Sequence, residues 1–586
     1  MTESELGVYL SCVKVSGGVY IVVCLGSQDD RRACDRGRFI ANCPGDMVFT
    51  TVEEGGRDLL CFPVSQAEML YESLRNMPQT QLCMAVPQSV LKWLTCNDEM
   101  HEEEHKRMVV ALHRLPVYAL LTESQRGVVR GIVMRGGRGF NCSEMGMGKT
   151  IMTITVLAYY GGTSLVVCPA TLADNWVAEV RKFTPDIPVR RYRGGHESEE
   201  PRGGGGITVI SYMKLSRSSC VDARYVSVVL DECHQIKSRV SLRAKAAVKV
   251  CRRAKRCMCL SGTPMSKSAD LFMPFGALFP TLFPVFTTLD ARFPPRAKTA
   301  HVHTDARGGS RFGFGDRYCS PTRVCIGRGK FQYKYDGASF PWELHSILRE
   351  CTWRLRKADM VTPLPKKTRV HLYLEGITCP PALQSRWDAL DVKKQAGGGN
   401  GEIMTIVRET CAAKRSAVVQ YMRNLHQGNA FLKEKFLVFC HFRDTVTALD
   451  ASFREMSIPH VVITGRTPPN VRQSLVNDFQ EDEHIRVAIL SISAAGVGLN
   501  LFAASQVIFA EMTWNDKEVL QAEDRAHRQG QTRDVTVTYL LLSHSVDEII
   551  WGVIARKQRV AALVVDSVHL PLVALHSRAP KRQRHF

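Results

Sequence analysis

The chain is 586 residues long, 45% hydrophobic and 23% charged, with a formal net charge of +20. Such a length calls for several domains, each with its own core, and no apolar run approaches the ~20 residues that a membrane helix needs. The positive excess favours a polyanionic partner, and without a membrane segment nucleic acid leads.

Twenty cysteines are scattered with no Cys-x-x-Cys pair, and the tightest group is Cys251, Cys257 and Cys259. That spacing suits neither a zinc site nor a disulfide framework and fits a reducing compartment, cytosol or nucleus. Residues 1–5 are acidic and carry no signal-peptide pattern, so an intracellular protein is expected. Nothing specifies an oligomer, and a monomer is expected.

Residues 1–110 read as a small mixed β/α accessory region. Apolar runs at 8–15 and 19–23 flank Gly17-Gly18 and predict a hairpin, and 66–77 predicts a short helix. From 111 to 290, apolar strands alternate with helices. Residues 164–168 and 226–230 are continuous apolar strands, and Leu172, Trp176, Val180 and Phe183 form one helical stripe between them. This β-α-β rhythm predicts a parallel sheet with helices on both faces. Gly203 to Gly206 reads as a flexible loop.

Residues 291–345 are richer in Gly, Arg, Tyr and Phe, and 291–400 is expected to be an insertion and linker. Basic residues among aromatics can stack and grip nucleic acid; a solvated loop with a few packed aromatics is the equal alternative. A second α/β block runs from 401 to 565, with strands predicted at 436–440, 460–463, 487–490 and 506–509. The tail, 566–586, is basic, and Arg578-Ala579-Pro580-Lys581-Arg582-Gln583-Arg584 resembles a short nuclear-import signal.

The chemistry is concentrated in a few stretches. Ser143-Glu144-Met145-Gly146-Met147-Gly148-Lys149-Thr150 has the form of a phosphate-binding loop. Its backbone N–H groups would cradle phosphates, Lys149 would supply a point charge, and Thr150 a hydroxyl for Mg²⁺. A helix should follow over Lys149–Tyr160, end at Gly161-Gly162, and present its N-terminus to the anion. Asp231-Glu232-Cys233-His234 follows a predicted strand. Asp231 is expected to hold Mg²⁺ through water, and Glu232 to orient or deprotonate the attacking water. Ser261 and Thr263, around Gly262, could relay the state of the nucleotide site; a simple turn is the alternative. Gln125, upstream of the loop, could read an adenine edge.

In the second block, residues 516–529 predict one helix, capped by Asp516 and ended by Gly530. Gln521, Arg525 and Arg528 would then share a face and meet phosphate oxygens. A solvated or ion-paired face is the alternative. Gly496 and Gly498, in the small-residue turn before them, would allow close backbone approach to phosphates.

Together these residues resemble the SWI/SNF-type branch of the superfamily-two helicase-like ATPases, over about residues 115–565. Glu144 to Thr150 is similar to that family's nucleotide motif, with Ser143 in place of its Asp. Cys168-Pro169 with Asn175-Trp176, and Gln521 to Gln531, are similar to further motifs. Within the branch, Ser261 to Ser266, Tyr318-Cys319, Tyr335 to Ser339 and Ser545 to Glu548 look like the annealing-helicase (HepA-related, HARP/SMARCAL-type) group.

The resemblance implies an α/β fold: two RecA-like parallel-sheet lobes in tandem, with an inter-lobe insertion and an N-terminal accessory region. It implies binding of ATP and Mg²⁺ through Glu144, Met145, Gly146, Met147, Gly148, Lys149, Thr150, Gln125, His234, Gly498 and Gln521. Catalysis would fall to Lys149, Asp231, Glu232, Arg525 and Arg528. Duplex or forked DNA is the implied partner, with replication or repair proteins beside it; the expected location is nuclear in a eukaryote and otherwise intracellular. A nucleosome remodeller, or a DNA-binding scaffold with a vestigial ATP site, is the alternative.

Overall fold

The computed structural model describes residues 6–15, 18–26, 50–54, 57–66, 80–84, 88–95, 102–194, 205–238, 240–262, 267–279, 314–319, 322–325, 331–335, 339–359, 364–386, 400–492, 499–528 and 530–561, with 69, 70, 72, 86, 265 and 337. Among them no helix is long and apolar enough to cross a membrane.

The N-terminal region forms a five-stranded sheet in the order β3-β4-β2-β1-β5. Its strands are β1 (Leu6–Val15), β2 (Gly18–Gly26), β3 (Thr50–Glu54), β4 (Arg57–Pro63) and β5 (Thr80–Met84). The expected hairpin is there: β1 and β2 pair antiparallel, with Val15 opposite Gly18. Of the short helix expected at 66–77, only residues 66, 69, 70 and 72 are described.

The first lobe is a seven-stranded, wholly parallel sheet in the order β14-β6-β11-β10-β7-β9-β8. It uses β6 (Arg138–Asn141), β7 (Thr163–Cys168), β8 (Val189–Arg191), β9 (Gly206–Ser211), β10 (Ser227–Asp231), β11 (Arg256–Leu260) and β14 (Thr352–Trp353). A hairpin, β12 (Thr322–Cys325) with β13 (Phe331–Lys334), stands apart. Alternate residues of one strand feed opposite cores, as the pleat requires. Leu165, Val167, Val228 and Leu230 pack with helix Leu242–Arg253 on one face. Val166, Cys168, Val229 and Leu260 pack on the other face with helices α1 (Glu123–Met134), α2 (Lys149–Tyr160) and α3 (Ala173–Phe183).

The second lobe repeats the plan. Its six parallel strands run β15-β20-β19-β16-β18-β17. They are β15 (Lys367–Tyr373), β16 (Phe436–Cys440), β17 (His460–Ile463), β18 (Val487–Ser491), β19 (Gln506–Phe509) and β20 (Val535–Leu541). Leu437 and Phe439 point to one core, Val438 and Cys440 to the other.

Three expectations need correction. The linker read at 291–400 contributes a strand to each lobe. Trp353 pairs beside Asn141, and Lys367 beside Val535. The reason is hydrogen bonding: a backbone run beside an open sheet edge satisfies its donors by joining it. The aromatics Phe314 and Tyr318 are not free to stack on nucleic acid, because they are buried against Phe272 and Phe275. Gly206 opens β9 rather than lying in a loop; Gly203 and the tail 566–586 fall outside the described residues.

Candidate nucleotide site between two lobes

The glycine-rich segment expected to be a phosphate loop joins the end of β6 to α2. Gly146 and Gly148 sit at φ +82° and +79°, the left-handed region that favours glycine. A Cβ on Gly148 would lie 2.5 Å from Gln125 Nε2. Gln125 braces this loop: its Nε2 donates to the Met147 carbonyl at 3.2 Å. Its Oε1 accepts from Thr122 N–H at 3.0 Å, completing a capping box at the start of α1. Both ends of the amide that an adenine edge would need are therefore engaged on the protein.

Lys149 Nζ donates to the carbonyls of Ser143 (2.8 Å) and Glu144 (3.1 Å), folding over its own loop. Burial draws its amine below the usual lysine range, opposed by Glu232 and Asp231. Ser143, which stands where the family pattern has Asp, is fully buried, and its Oγ accepts from Leu355 N–H at 3.2 Å. Glu144 turns away from the loop's interior: its Oε2 accepts from Lys357 N–H at 2.9 Å. Met145 and Met147 are half-buried loop residues, and Thr150 is half-buried in the first turn of α2.

Asp231 ends the central strand β10, at the carboxyl edge where parallel sheets place ligands. Its Oδ2 accepts from the Trp176 indole at 2.8 Å and its Oδ1 from Glu232 N–H at 2.9 Å. Burial, then the neighbouring Glu232 charge, pushes Asp231 up to about 6. Glu232 is held at φ +50°. Burial would raise its carboxyl, but His234 (Nδ1 to Oε2, 3.1 Å), Lys149 and Lys517 outweigh that and lower it. His234 Nδ1 also lies 3.4 Å from Ser261 Oγ, so these two motifs meet. Thr263 falls outside the described residues.

The arginine segment differs from expectation. The helix is α4, Asp516–Glu523, and it stops before either arginine. Beyond it, Arg525 N–H bonds to Ala522 O and Ala526 N–H to Glu523 O, the tighter i to i+3 pattern. The helix ends at two acidic residues that are held from outside it. Glu523 is drawn to Lys367 and Arg369 at 2.9 and 2.6 Å, and Asp524 to Lys357 at 2.9 Å. Gln521 therefore stays on the helix while Arg525 and Arg528 follow on a turn. Both arginines donate to one acceptor, Leu499 O, at 3.4 and 3.3 Å. The cap is Asn515, whose side chain accepts from Lys517 N–H, not Asp516. Gly530 lies well past the helix end, and Gly496 and Gly498 fall outside the described residues.

The two lobes share this site electrically. Arg525 feels Glu232 across the cleft, and Lys149 feels Asp524. Burial, then Arg528, lowers Arg525 to about 10. Arg525 Nε and Lys517 Nζ are buried without a hydrogen-bond partner among the described residues. Two buried cationic donors left open, a glycine-built loop and an acid pair fit a nucleoside triphosphate with a divalent cation. Sequence reading placed Trp176 on a packing stripe and in a family motif, and missed its bond to Asp231. It also missed Lys517 and Lys357, which lie beside other charged residues in the sequence and carry no distinguishing signal there.

The SNF2-related domain model matches residues 88–376, and the helicase conserved C-terminal domain model matches 414–530. The DNA annealing helicase and endonuclease ZRANB3 of Mus musculus is 32% identical, covering 76% of this chain and 41% of its own length. The SWI/SNF-related matrix-associated actin-dependent regulator of chromatin subfamily A-like protein 1 of Xenopus tropicalis is 30% identical, covering 85% and 51%. This chain thus spans about half the length of these relatives. A solved SWI2/SNF2 ATPase core from Sulfolobus solfataricus covers 76% of this chain and 97% of its own at 21% identity, with a TM-score of 0.36. The chain thus carries an SNF2-related domain followed by a helicase conserved C-terminal domain.

Proposed function

We propose that this chain is a DNA-dependent ATPase that translocates on duplex or forked DNA and remodels or re-anneals it. The observation that carries the reading is the convergence of Lys149, Asp231 and Glu232 from one lobe with Arg525 from the other. When bound, ATP supplies the phosphoanhydride bond to be broken and Mg²⁺ neutralises phosphate charge. Residues Gly146, Gly148, Lys149 and Thr150 would hold the phosphates, and Asp231 with Thr150 the cation. Asp231 is oriented for this by Trp176, which fixes one carboxylate oxygen. Glu232, kept ionised by His234 and the nearby amines, is the group suited to orient a water and take its proton.

Arg525 and Arg528 rest on Leu499 O through long bonds of 3.4 and 3.3 Å and can exchange it for phosphate oxygens. Closure of the cleft would bring them in, and reopening would release them. Lobe movement linked to that exchange would step the chain along a phosphate backbone, in keeping with a net charge of +20. Annealing activity is supported by the name DNA annealing helicase, and a nuclear location by the name regulator of chromatin; repair or replication partners belong to the same proposal.

The test is ATP hydrolysis with no nucleic acid, single-stranded DNA, duplex, fork and RNA. Forked or duplex DNA should stimulate strongly, and Lys149→Ala should lower the rate about 10²-fold or more. ATP binding without DNA stimulation would reject the motor and favour a scaffold. Stimulation with nucleosome sliding but no annealing would favour a remodeller.

A further inference from the structure

One chain segment ties the phosphate loop to the arginine segment. Cys351 to Lys357 runs beside the loop and is fastened to it at alternate residues. Phe140 N–H donates to Cys351 O (2.8 Å), Cys142 N–H to Trp353 O (2.8 Å) and Glu144 N–H to Leu355 O (2.9 Å). Lys357 N–H then donates to Glu144 Oε2 at 2.9 Å. The Lys357 side chain leaves this lobe. Its Nζ donates to His527 O at 2.6 Å and lies 2.9 Å from Asp524 Oδ1. Asp524 and His527 bracket Arg525 in sequence, and Arg528 follows His527.

Lys357 is 8% exposed. A buried ammonium is costly unless well paired, and its hydrogen-bond acceptors here both belong to the second lobe. Its placement therefore makes sense only while the loop and the arginine turn keep this spacing. Asp524 also has Lys367 at 3.4 Å, so losing Lys357 would not strand that carboxylate.

We propose that Lys357 is a positioning residue that passes movement of the phosphate loop to the Arg525–Arg528 turn. A shift of Glu144 on nucleotide binding moves the Lys357 backbone, and its side chain carries the turn with it. This inference rests on the proposed ATPase reading.

The experiment compares Lys357→Met, Lys357→Arg, Asp524→Asn and the Lys357→Met/Asp524→Asn pair in the full chain, with saturating duplex DNA. ATP affinity is read with a fluorescent ATP analogue, beside kcat and KM. Lys357→Met should lower kcat about 10–100-fold with analogue affinity and KM within about 2-fold, because misplaced arginines affect the transition state rather than binding. Lys357→Arg should recover most of the loss. The pair should be no worse than Lys357→Met alone, as expected of one shared linkage.

An unchanged kcat in Lys357→Met, a rise in KM at constant kcat, or additive losses in the pair would overturn the inference. If Lys357→Met does not fold, Asp524→Asn carries the same kcat-against-KM test. Wild-type hydrolysis that is abolished by Lys149→Ala keeps the ATPase reading standing whatever Lys357 does. Wild type without it overturns both.

Discussion

Lys517 carries its charge into the interior of the fold. It is 3% exposed, sits in the first turn of α4, and its amine has no hydrogen-bond partner among the described residues. Burial pulls it below the usual lysine range, with Asp270 opposing. A cation at a helix N-terminus is also disfavoured by the helix dipole. Stability alone therefore argues for its removal, and its effect on Glu232 argues for its retention. Lys517→Met is expected to raise the thermal midpoint by about 2–4 °C while slowing ATP hydrolysis. Differential scanning calorimetry beside the ATPase assay checks this. A lower midpoint would mean that Lys517 has a structural partner in solution. The glycine-rich loop and the Asp231–Glu232 pair stand out as candidates at this scale because phosphate and cation chemistry needs fixed residue types at fixed spacing. Lys517 and Trp176 do not, because their roles depend on what lies opposite them in space.

Strands such as β16 and β19, and helix α2, appear at the residues where apolar runs and glycine punctuation put them. Local pattern was enough there, since each element's burial follows from its own sequence. Helix α4 was misread because its end is set from outside. Glu523 is fully buried and accepts from Lys367, Arg369 and the Tyr539 hydroxyl, which belong to β15 and β20. Burial would raise its carboxyl, but Lys367 and then Arg369 outweigh that and hold it below its ordinary 4.5. A carboxylate lowered on folding contributes stability that is complete above the unfolded value and is lost as pH falls through the folded one. The second lobe should therefore lose stability from about pH 4.5 downward. Glu523→Gln should flatten that acid limb and cost about 3–5 kcal/mol at neutral pH by stranding buried cations. Circular dichroism melts between pH 7 and 3 measure both; an unchanged acid limb would assign the loss to other carboxylates.

At the scale of the molecule, the N-terminal sheet shares a core with the first lobe. Leu10, Ile21, Val23 and Phe62 pack in one cluster with Phe275, Phe314, Tyr318 and Ile347. Its hairpin was readable, but its docking was not, because the contacts join residues some three hundred positions apart. The joint is a buried ion pair. Arg317 reaches both oxygens of Glu343 at 2.6 and 2.5 Å and donates to Leu10 O of β1 at 3.1 Å. The Tyr318 hydroxyl adds a 2.6 Å bond to Glu343, and the Phe340 ring lies 4.5 Å from the Arg317 guanidinium. Such a pair adds little net stability over an apolar replacement, yet breaking one half strands the other. Arg317→Met should thus cost about 3–5 kcal/mol, and the Arg317→Met/Glu343→Met pair should recover much of it. The loss should be local. In hydrogen exchange, the amides of β1 and β2 should open first in Arg317→Met, while β16 and β18 keep wild-type protection. Equal loosening of both lobes would mean that the sheet is an integral part of the two-lobe core. Selective opening with DNA-stimulated hydrolysis preserved would identify it as a separately docked module whose attachment runs through Arg317.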